Sequence, residues 1–450
     1  MQQWILHDGP MTAEIQTSFF ARALILHPHE PRVLLENGTL PHLSHPESLY
    51  MGSKVPALFE RYGKPSYLQR LHLEQEQLSE DSWNVRYVFA LVATLLDLPE
   101  GCVWTNPDLL PEDLQLLASR ALNPDPKLPW HDKTWLPETL NWTRDALQDH
   151  SWALTGDPEL IKSWQISVLY RLPTSGGPVY LKSVPDFFAR EGHLTHWLHA
   201  LNKGAAPKVL KNHPEQRIFL MQGAGQDKVE ASAARSAVEL LATVQRQTET
   251  HTHELLALGC LDRRCSVLKT HFQDLLNDEK ALSVNNLLSV EEQNRLKNAL
   301  PLLLDLLEEL DHSPIAPTLL HGDLHLGNVV AHEGHLTFLD WSDGAIGHPF
   351  LDMNSEYLLE SEDSAEHQTL VDAYLEHWTD VLPLDDLRLL QQKAVIAGEL
   401  HRAVSYHRYI IPGVPDHAEW AEAPIDHLKN VLKWLEKAKD HPQNPVASEA

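Results

Sequence analysis

His321-Gly322-Asp323-Leu324-His325-Leu326-Gly327-Asn328, followed twelve residues later by Asp340 in Leu336-Thr337-Phe338-Leu339-Asp340-Trp341, decides how this 450-residue chain is read. Thr318-Leu319-Leu320 is a short apolar run that predicts a strand delivering Asp323 into a loop. Val329-Val330-Ala331 and Leu336-Thr337-Phe338-Leu339 predict two more strands about the turn His332-Glu333-Gly334-His335. A loop followed by a tight hairpin returns Asp340 to the neighbourhood of Asn328. That set suits phosphoryl transfer: Asp323 can take the proton of an attacking hydroxyl, while Asn328 and Asp340 can hold magnesium against nucleotide phosphates. A hard cation needs oxygen ligands and takes few of them from protein when phosphates and water supply the rest. Asp and Asn are also common turn residues, which is the competing reading of the same positions.

The pattern His-Gly-Asp-x-x-x-x-Asn with a downstream Asp-Trp resembles the aminoglycoside phosphotransferase and choline kinase-like family. Asp343 and Gly347-His348-Pro349-Phe350-Leu351-Asp352 extend the likeness, which covers about residues 150–430. The resemblance implies an α+β, two-lobed protein-kinase-like fold. A small antiparallel-sheet lobe would span residues 151–226. A mostly helical lobe over 227–450 would carry the catalytic loop and the acceptor pocket. It implies ATP and Mg2+ as cofactors, Asp323 as the catalytic base, and Asn328 and Asp340 as metal ligands. The acceptor stays open, because the family includes kinases of antibiotics, choline, fructosamines, amino-acid alcohols and sugars.

Phosphoryl transfer of this kind also asks for a lysine on a strand and a helical glutamate upstream. Ser167–Leu172 and Pro178–Val184 are β-rich runs joined by Pro173-Thr174-Ser175-Gly176-Gly177. Lys182 is the candidate phosphate lysine, since a lysine inside an apolar strand ordinarily needs a partner for its charge. An edge-strand surface lysine is the alternative. Phe187–Leu201 reads as a helix, and Glu191, nine residues after Lys182, is the candidate partner. No Gly-x-Gly-x-x-Gly precedes Lys182; Leu160–Gln165 stands in its place, with Ser163 as a phosphate-loop candidate. Arg217–Gly223 reads as the last strand of the small lobe, placing Gln222 where backbone would meet an adenine edge. No Walker A sequence is present.

Composition narrows the class. The chain has 36 Lys and Arg against 63 Asp and Glu, a net charge of −27. That disfavours nucleic acid and would concentrate a cationic acceptor such as an amine. No apolar run approaches the ~18 residues of a membrane span, and the N-terminus carries no secretory pattern. Three cysteines, Cys102, Cys260 and Cys265, make no disulfide framework, so a cytoplasmic enzyme is expected. Cys260 and Cys265 lack zinc-site spacing and read as packing residues.

Val229–Arg246, Ser364–Trp378 and Asp385–Arg408 predict helices. Leu296, Leu300, Leu303, Leu304, Leu307 and Leu310 form a core stripe at helical spacing. Glu399, Tyr406 and Glu419 are pocket candidates by resemblance. The tail from about His441 is expected to fray. Over residues 1–120, Phe19–Leu26, Arg32–Glu36 and Val85–Val92 are β-like runs whose order weakly resembles a small α/β Nudix-like domain. The carboxylate helix of that family is missing: Glu60, Glu74 and Glu76 lack its spacing. Residues 121–150 read as a Pro- and Trp-rich linker ending in a helix from Glu138 to Gln148. Two rival functions are a catalytically silent nucleotide- or metabolite-binding regulator, and a bifunctional chain whose N-terminal domain hydrolyses nucleotides.

Overall fold

The computed structural model describes residues 16–64, 66–79, 82–93, 98–225, 227–361 and 363–439. The expected absence of an N-terminal signal and the fraying tail from His441 fall outside those residues. The chain forms two compact units, Met1–Pro185 with Ile218–Leu220, and Asp186–Arg217 with Met221–Ala450.

The first unit begins with strands β1 (Gln16–Leu26), β2 (Val33–Glu36), β3 (His42–His45), β4 (Ser66–Ser79), β5 (Ser82–Val92) and β6 (Cys102–Thr105). They make a mixed sheet in the order β4-β5-β1-β2-β6, with β3 also pairing β1. β1 and β5 run parallel over eleven register pairs, from Gln16↔Ser82 to Leu26↔Val92. One sheet face buries Leu24, Leu26, Val88 and Ala90 against Leu114, Ala118 and Ala121 of helix α1 (Glu112–Leu122). The three β-like runs of the sequence are therefore strands. Glu74 and Glu76, instead of lying on a helix, sit on β4 and pair with Arg86 of β5 at 3.4 and 2.9 Å.

The Pro- and Trp-rich segment is pinned rather than loose. Trp130 and Trp135 are buried, and Trp130 Nε1 donates to the Trp164 carbonyl at 3.1 Å. Large apolar side chains bury wherever a core accepts them, whatever the breaker residues around them. Helix α2 (Trp135–Gln148) follows. Then β7 (Glu159–Ser163), β8 (Val168–Thr174) and β9 (Gly177–Ser183) pair antiparallel in sequence order. After β10 (Val209–Asn212), Ile218–Leu220 of β11 (Ile218–Gln222) lies beside β9.

The second unit is mainly helical. Its longer helices are α3 (Glu191–Leu201), α4 (Ala234–Thr248), α5 (Cys265–Asn277), α6 (Val290–His312), α7 (Ser364–Leu375), α8 (Leu384–Ser405) and α9 (Ala423–Lys439). α3 starts at Glu191 and not at Phe187, because Asp186–Phe188 form a separate 3-10 turn. Ser289 opens α6 with a reciprocal capping box to Glu292, satisfying two backbone donors at the helix start. The buried stripe of α6 is Leu296, Leu303, Leu306, Leu307 and Leu310; Leu306 takes the place expected of Leu304. These leucines join one core with Leu241, Phe272, Leu319, Phe350, Trp378, Leu400 and Leu428. Cys260 and Cys265 are buried in it as free thiols. Among the described residues no helix is long and apolar enough to cross a membrane.

After β12 (Asp227–Lys228), five short strands build the frame for the motif. β13 (Leu261–Asp262), β17 (Ala345–Gly347) and β14 (Thr318–Leu320) form one sheet in that order, and β15 (Val329–His332) and β16 (His335–Phe338) form a hairpin.

Candidate active site

The loop from His321 to Asn328 leaves β14 and enters β15, as the apolar pattern predicts. Thr318, Leu319 and Leu320 are wholly buried, so the strand before the loop is fixed by packing. The β15–β16 hairpin turns at Glu333 and Gly334, both at positive φ (49° and 79°), the geometry that tight hairpins prefer. Its register, Val329↔Phe338 to His332↔His335, carries Leu339 back to Asn328, where Leu339 N–H donates to the Asn328 carbonyl at 2.8 Å. Asn328 and Asp340 are thereby neighbours in space. Asn328 Nδ2 donates to the Asp323 carbonyl at 2.9 Å, which turns its amide oxygen away from that bond and leaves it as an oxygen donor for a cation. Asp340 sits at φ 59°, ψ 64°, the left-handed region that Asp enters more readily than most residues, and it breaks the strand there so that the chain turns. Among the described residues no three His, Cys, Asp or Glu side chains gather around a metal position. An amide oxygen with one carboxylate suits instead a cation that takes its remaining ligands from phosphate and water.

The backbone before Asp323 is held from afar. Asp352 accepts from the His321 N–H at 2.6 Å and the Gly322 N–H at 3.0 Å, one on each carboxylate oxygen. Gln245 also reaches Asp352 Oδ2, at 3.4 Å, and donates to the Pro349 carbonyl. Burial outweighs these donors and pushes the Asp352 carboxyl up to about 6. His321 accepts the Asp323 N–H on Nδ1 at 3.3 Å, so its proton sits on Nε2, which donates to the Leu339 carbonyl at 2.9 Å. Burial lowers this imidazole to about 4, so it is neutral near pH 7 and bridges the two halves of the motif. Gly322, at φ 82°, is required twice over. A Cβ there would enter the left-handed region and would meet Asp343 Cβ at 2.8 Å and its carbonyl oxygen at 2.9 Å.

Asp323 itself keeps 44 % of its side chain accessible. Its Oδ1 accepts from Arg402 Nη1 at 2.9 Å. Its Oδ2 lies 3.5 Å from Asn328 Nδ2 and 3.9 Å from His325 Nε2. Burial would raise this carboxyl, but Arg402, with help from His325, holds it below the ordinary Asp value. Asp343 goes the other way: burial and the nearby Asp323 carboxylate push it up to about 6, against the opposing charge of Arg190.

Arg402 was not singled out from sequence. It lies near the end of α8, and its guanidinium stacks over the Tyr357 ring at 4.4 Å. A signal existed: Ala394–Ala403 is an apolar helical run interrupted by Glu399, His401 and Arg402, and charges inside a buried helix need partners. Glu399, a pocket candidate, is one of those charges turned inward. It accepts from Asn354, Tyr357 and Asn430 and pairs with His427 at 2.8 Å, so its carboxylate is engaged by protein. Tyr406 opens a five-residue π-helical turn, a local widening common at functional sites, and stacks on Trp420 and His427. Glu419 lies in the 3-10 turn His417–Glu419. A cavity of about 760 Å³ lies elsewhere in this unit, beside Ser361, His367, Gln391, Val395 and Trp434; none of the motif residues lines it.

Lys182, Glu191 and Gln222 lie on the strand, helix and strand expected of them, whereas Ser163, read as a phosphate-loop residue, closes a strand because its side chain packs into the core. Lys182 is buried on β9, paired with Leu169 of β8. Glu191 is buried at the start of α3. Ser163 ends β7 with its side chain buried, and Gln222 ends β11 partly exposed.

The phosphotransferase enzyme family model matches residues 159–387, just over half of the chain. No curated protein sequence matches it. Among solved structures, a choline kinase from Cryptosporidium parvum Iowa II has a TM-score of 0.51 at 14 % identity, covering 70 % of this chain and 99 % of its own. A choline/ethanolamine kinase family protein from Mesorhizobium loti has a TM-score of 0.48 at 12 % identity, covering 69 % of this chain and 97 % of its own. The first of these supports the kinase-like α+β fold. Residues 1–120 fall outside the family match, and no comparison supports the Nudix-like resemblance there. With the motif loop, the hairpin that returns Asp340 and the family match in agreement, the chain belongs to the phosphotransferase enzyme family and is a small-molecule kinase.

Proposed function

We propose that the protein transfers the γ-phosphoryl group of ATP, with Mg2+, to a hydroxyl of a small molecule of aminoglycoside-, choline- or amino-sugar-like chemistry. The observation that carries this reading is Asp323: its side chain stays 44 % accessible, with Oδ1 held by Arg402 at 2.9 Å and Oδ2 3.5 Å from Asn328 Nδ2, in a loop held by Asp352 and His321. An acceptor hydroxyl donates to Oδ2, is oriented by that bond, and passes its proton to Asp323 as its oxygen bonds the γ-phosphorus and the bond from that phosphorus to the bridging oxygen of ADP breaks. A carboxylate held below its ordinary pKa is a weak base. Its contribution is therefore mainly orientation, with proton transfer late, as suits a loose phosphoryl-transfer transition state. Asn328 and Asp340 would hold magnesium, which when bound offsets charge on the phosphoryl oxygens. Lys182 serves the phosphates, Glu191 is the candidate partner for its charge, and Gln222 marks the segment that meets adenine. The net charge of −27 favours a cationic acceptor, and the free cysteines suit a cytoplasmic setting.

The test incubates the protein with magnesium and ATP against aminoglycosides, choline, amino sugars, homoserine-like alcohols and nucleosides, following phosphate transfer by mass shift beside Asp323→Ala. A product formed by wild type alone supports the reading and names the acceptor class. Magnesium-dependent ATP binding without any product favours the regulator instead. Absence of ATP binding defeats the catalytic reading.

A further inference from the structure

The residue beside the candidate glutamate of α3 is Arg190, and it is buried. Its guanidinium donates in three directions to backbone carbonyls: Nη2 to Ser342 at 2.5 Å, Nε to Gly344 at 3.0 Å and Nη1 to Phe187 at 2.6 Å. Ser342 and Gly344 follow Asp340 by two and four residues, inside the 3-10 turn Trp341–Asp343 and its cap. The same helix closes on that turn through Leu194. A Cβ on Gly344 would meet Leu194 Cδ2 at 2.3 Å, so any larger residue would displace that leucine. Arg190 is also, with Arg402, a cation that opposes the charge of Asp343.

Burying a guanidinium is costly, and an apolar side chain could fill the same space without that cost. What an apolar side chain cannot do is fix carbonyl directions. Two of the carbonyls held here belong to the turn that begins at Asp340, where the backbone is already left-handed. The planar fork of arginine suits this task, since its donors point in set directions and an ammonium's do not.

We propose that Arg190 is a positioning residue for the metal–nucleotide complex, fixing the Ser342 and Gly344 carbonyls so that Asp340 presents its carboxylate to magnesium. The inference rests on the phosphotransferase reading of Asp340. It adds a function for α3 beyond its glutamate: one end of the helix sets the turn that follows the metal-binding aspartate.

The experiment measures binding of Mn2+ in the presence of ATP, and of ATP without metal, by the full chain and by Arg190→Met, Arg190→Gln and Arg190→Lys, each with a thermal melt. Arg190→Met is expected to weaken Mn2+ binding in the ATP complex by about tenfold or more, as loss of a ligand-orienting contact does. Metal-free ATP affinity should move by less than about twofold, and Arg190→Lys should recover part of the loss. If Arg190→Met does not fold, Arg190→Gln and Arg190→Lys carry the test. A variant that melts lower yet binds Mn2+ with wild-type affinity overturns the inference and leaves the kinase reading standing. Wild-type protein that binds no Mn2+ with ATP overturns both.

Discussion

Lys182 and Asp323 are placed by opposite means. Lys182 stands on a regular hairpin whose seven consecutive pairs run from Val168↔Ser183 to Thr174↔Gly177. Its face is settled by strand alternation, and slipping the register by one residue would turn it over. Asp323 lies in no regular element. Its backbone and carboxylate are set by Asp352, Asn328, His321 and Arg402, the last of them 79 residues away in sequence. A strand places a residue by local pattern, whereas an irregular loop needs a long-range partner for each polar group it would otherwise leave unpaired. The loop should therefore be the more fragile of the two, in stability as well as in turnover.

The sharpest way to break this contrast is at the reacting group. Asp323→Ala should lower turnover by about 10²–10⁴-fold while nucleotide affinity stays largely intact. Loss of nucleotide affinity beside an unchanged single-turnover rate would contradict the assignment. Next, Asp352→Ala should cost about 3 kcal/mol in urea unfolding, because two loop N–H groups lose their acceptor in a buried place. Lys182→Met should lower turnover while leaving the register of the β8–β9 hairpin intact. Wild-type turnover in that variant would remove the lysine from the reaction.

The pH dependence of the loop has a definite sign. His321 has its folded-state pKa lowered to about 4, below the ordinary value of about 6.5, so the unfolded chain takes up this proton first on acidification. Its stabilising contribution is complete above about pH 6.5 and is lost as the pH falls toward 4. Asp343 and Asp352, both raised to about 6, act oppositely: their contribution is present at acid pH and is lost as pH rises through 6. The clean observable is a difference. Between pH 7.5 and pH 5, wild type should lose about 2 kcal/mol relative to His321→Asn. A gap independent of pH would mean that this imidazole is not held neutral.

The smallest effect compares two glycines at positive φ. Gly177, at 102° in the β8–β9 turn, has nothing within 4 Å of an added Cβ, so Gly177→Ala should cost about 1 kcal/mol from backbone strain alone. Gly322 adds a collision with the Asp343 backbone, so Gly322→Ala should cost about 1 kcal/mol more and disturb turnover as well. Parallel thermal melts decide whether the loop is the tighter place.

Much of this site was legible in the chain. The spacing of Asp323, Asn328 and Asp340, the apolar runs flanking them and the turn at Glu333-Gly334 contain a strand, a loop and a hairpin, because each is a local pattern of two-residue alternation and turn chemistry. Lys182 was legible for the same reason. Arg402, Arg190 and the double hold of Asp352 were not. A charged residue in a helix reads as solvent-facing until the fold buries it, and nothing local says which carbonyl or carboxylate it will meet. The aromatic residues around Trp130 and Trp135 show the same limit, since breaker residues suggest a linker and only the packed core reveals that their side chains are buried. The sequence by itself determined which residues carry oxygen and charge at phosphoryl-transfer spacing, because chemistry depends on residue type. Tertiary structure alone decided that one oxygen of Asp323 is held by a charged donor, because that depends on a guanidinium brought from α8 by the burial of a helix.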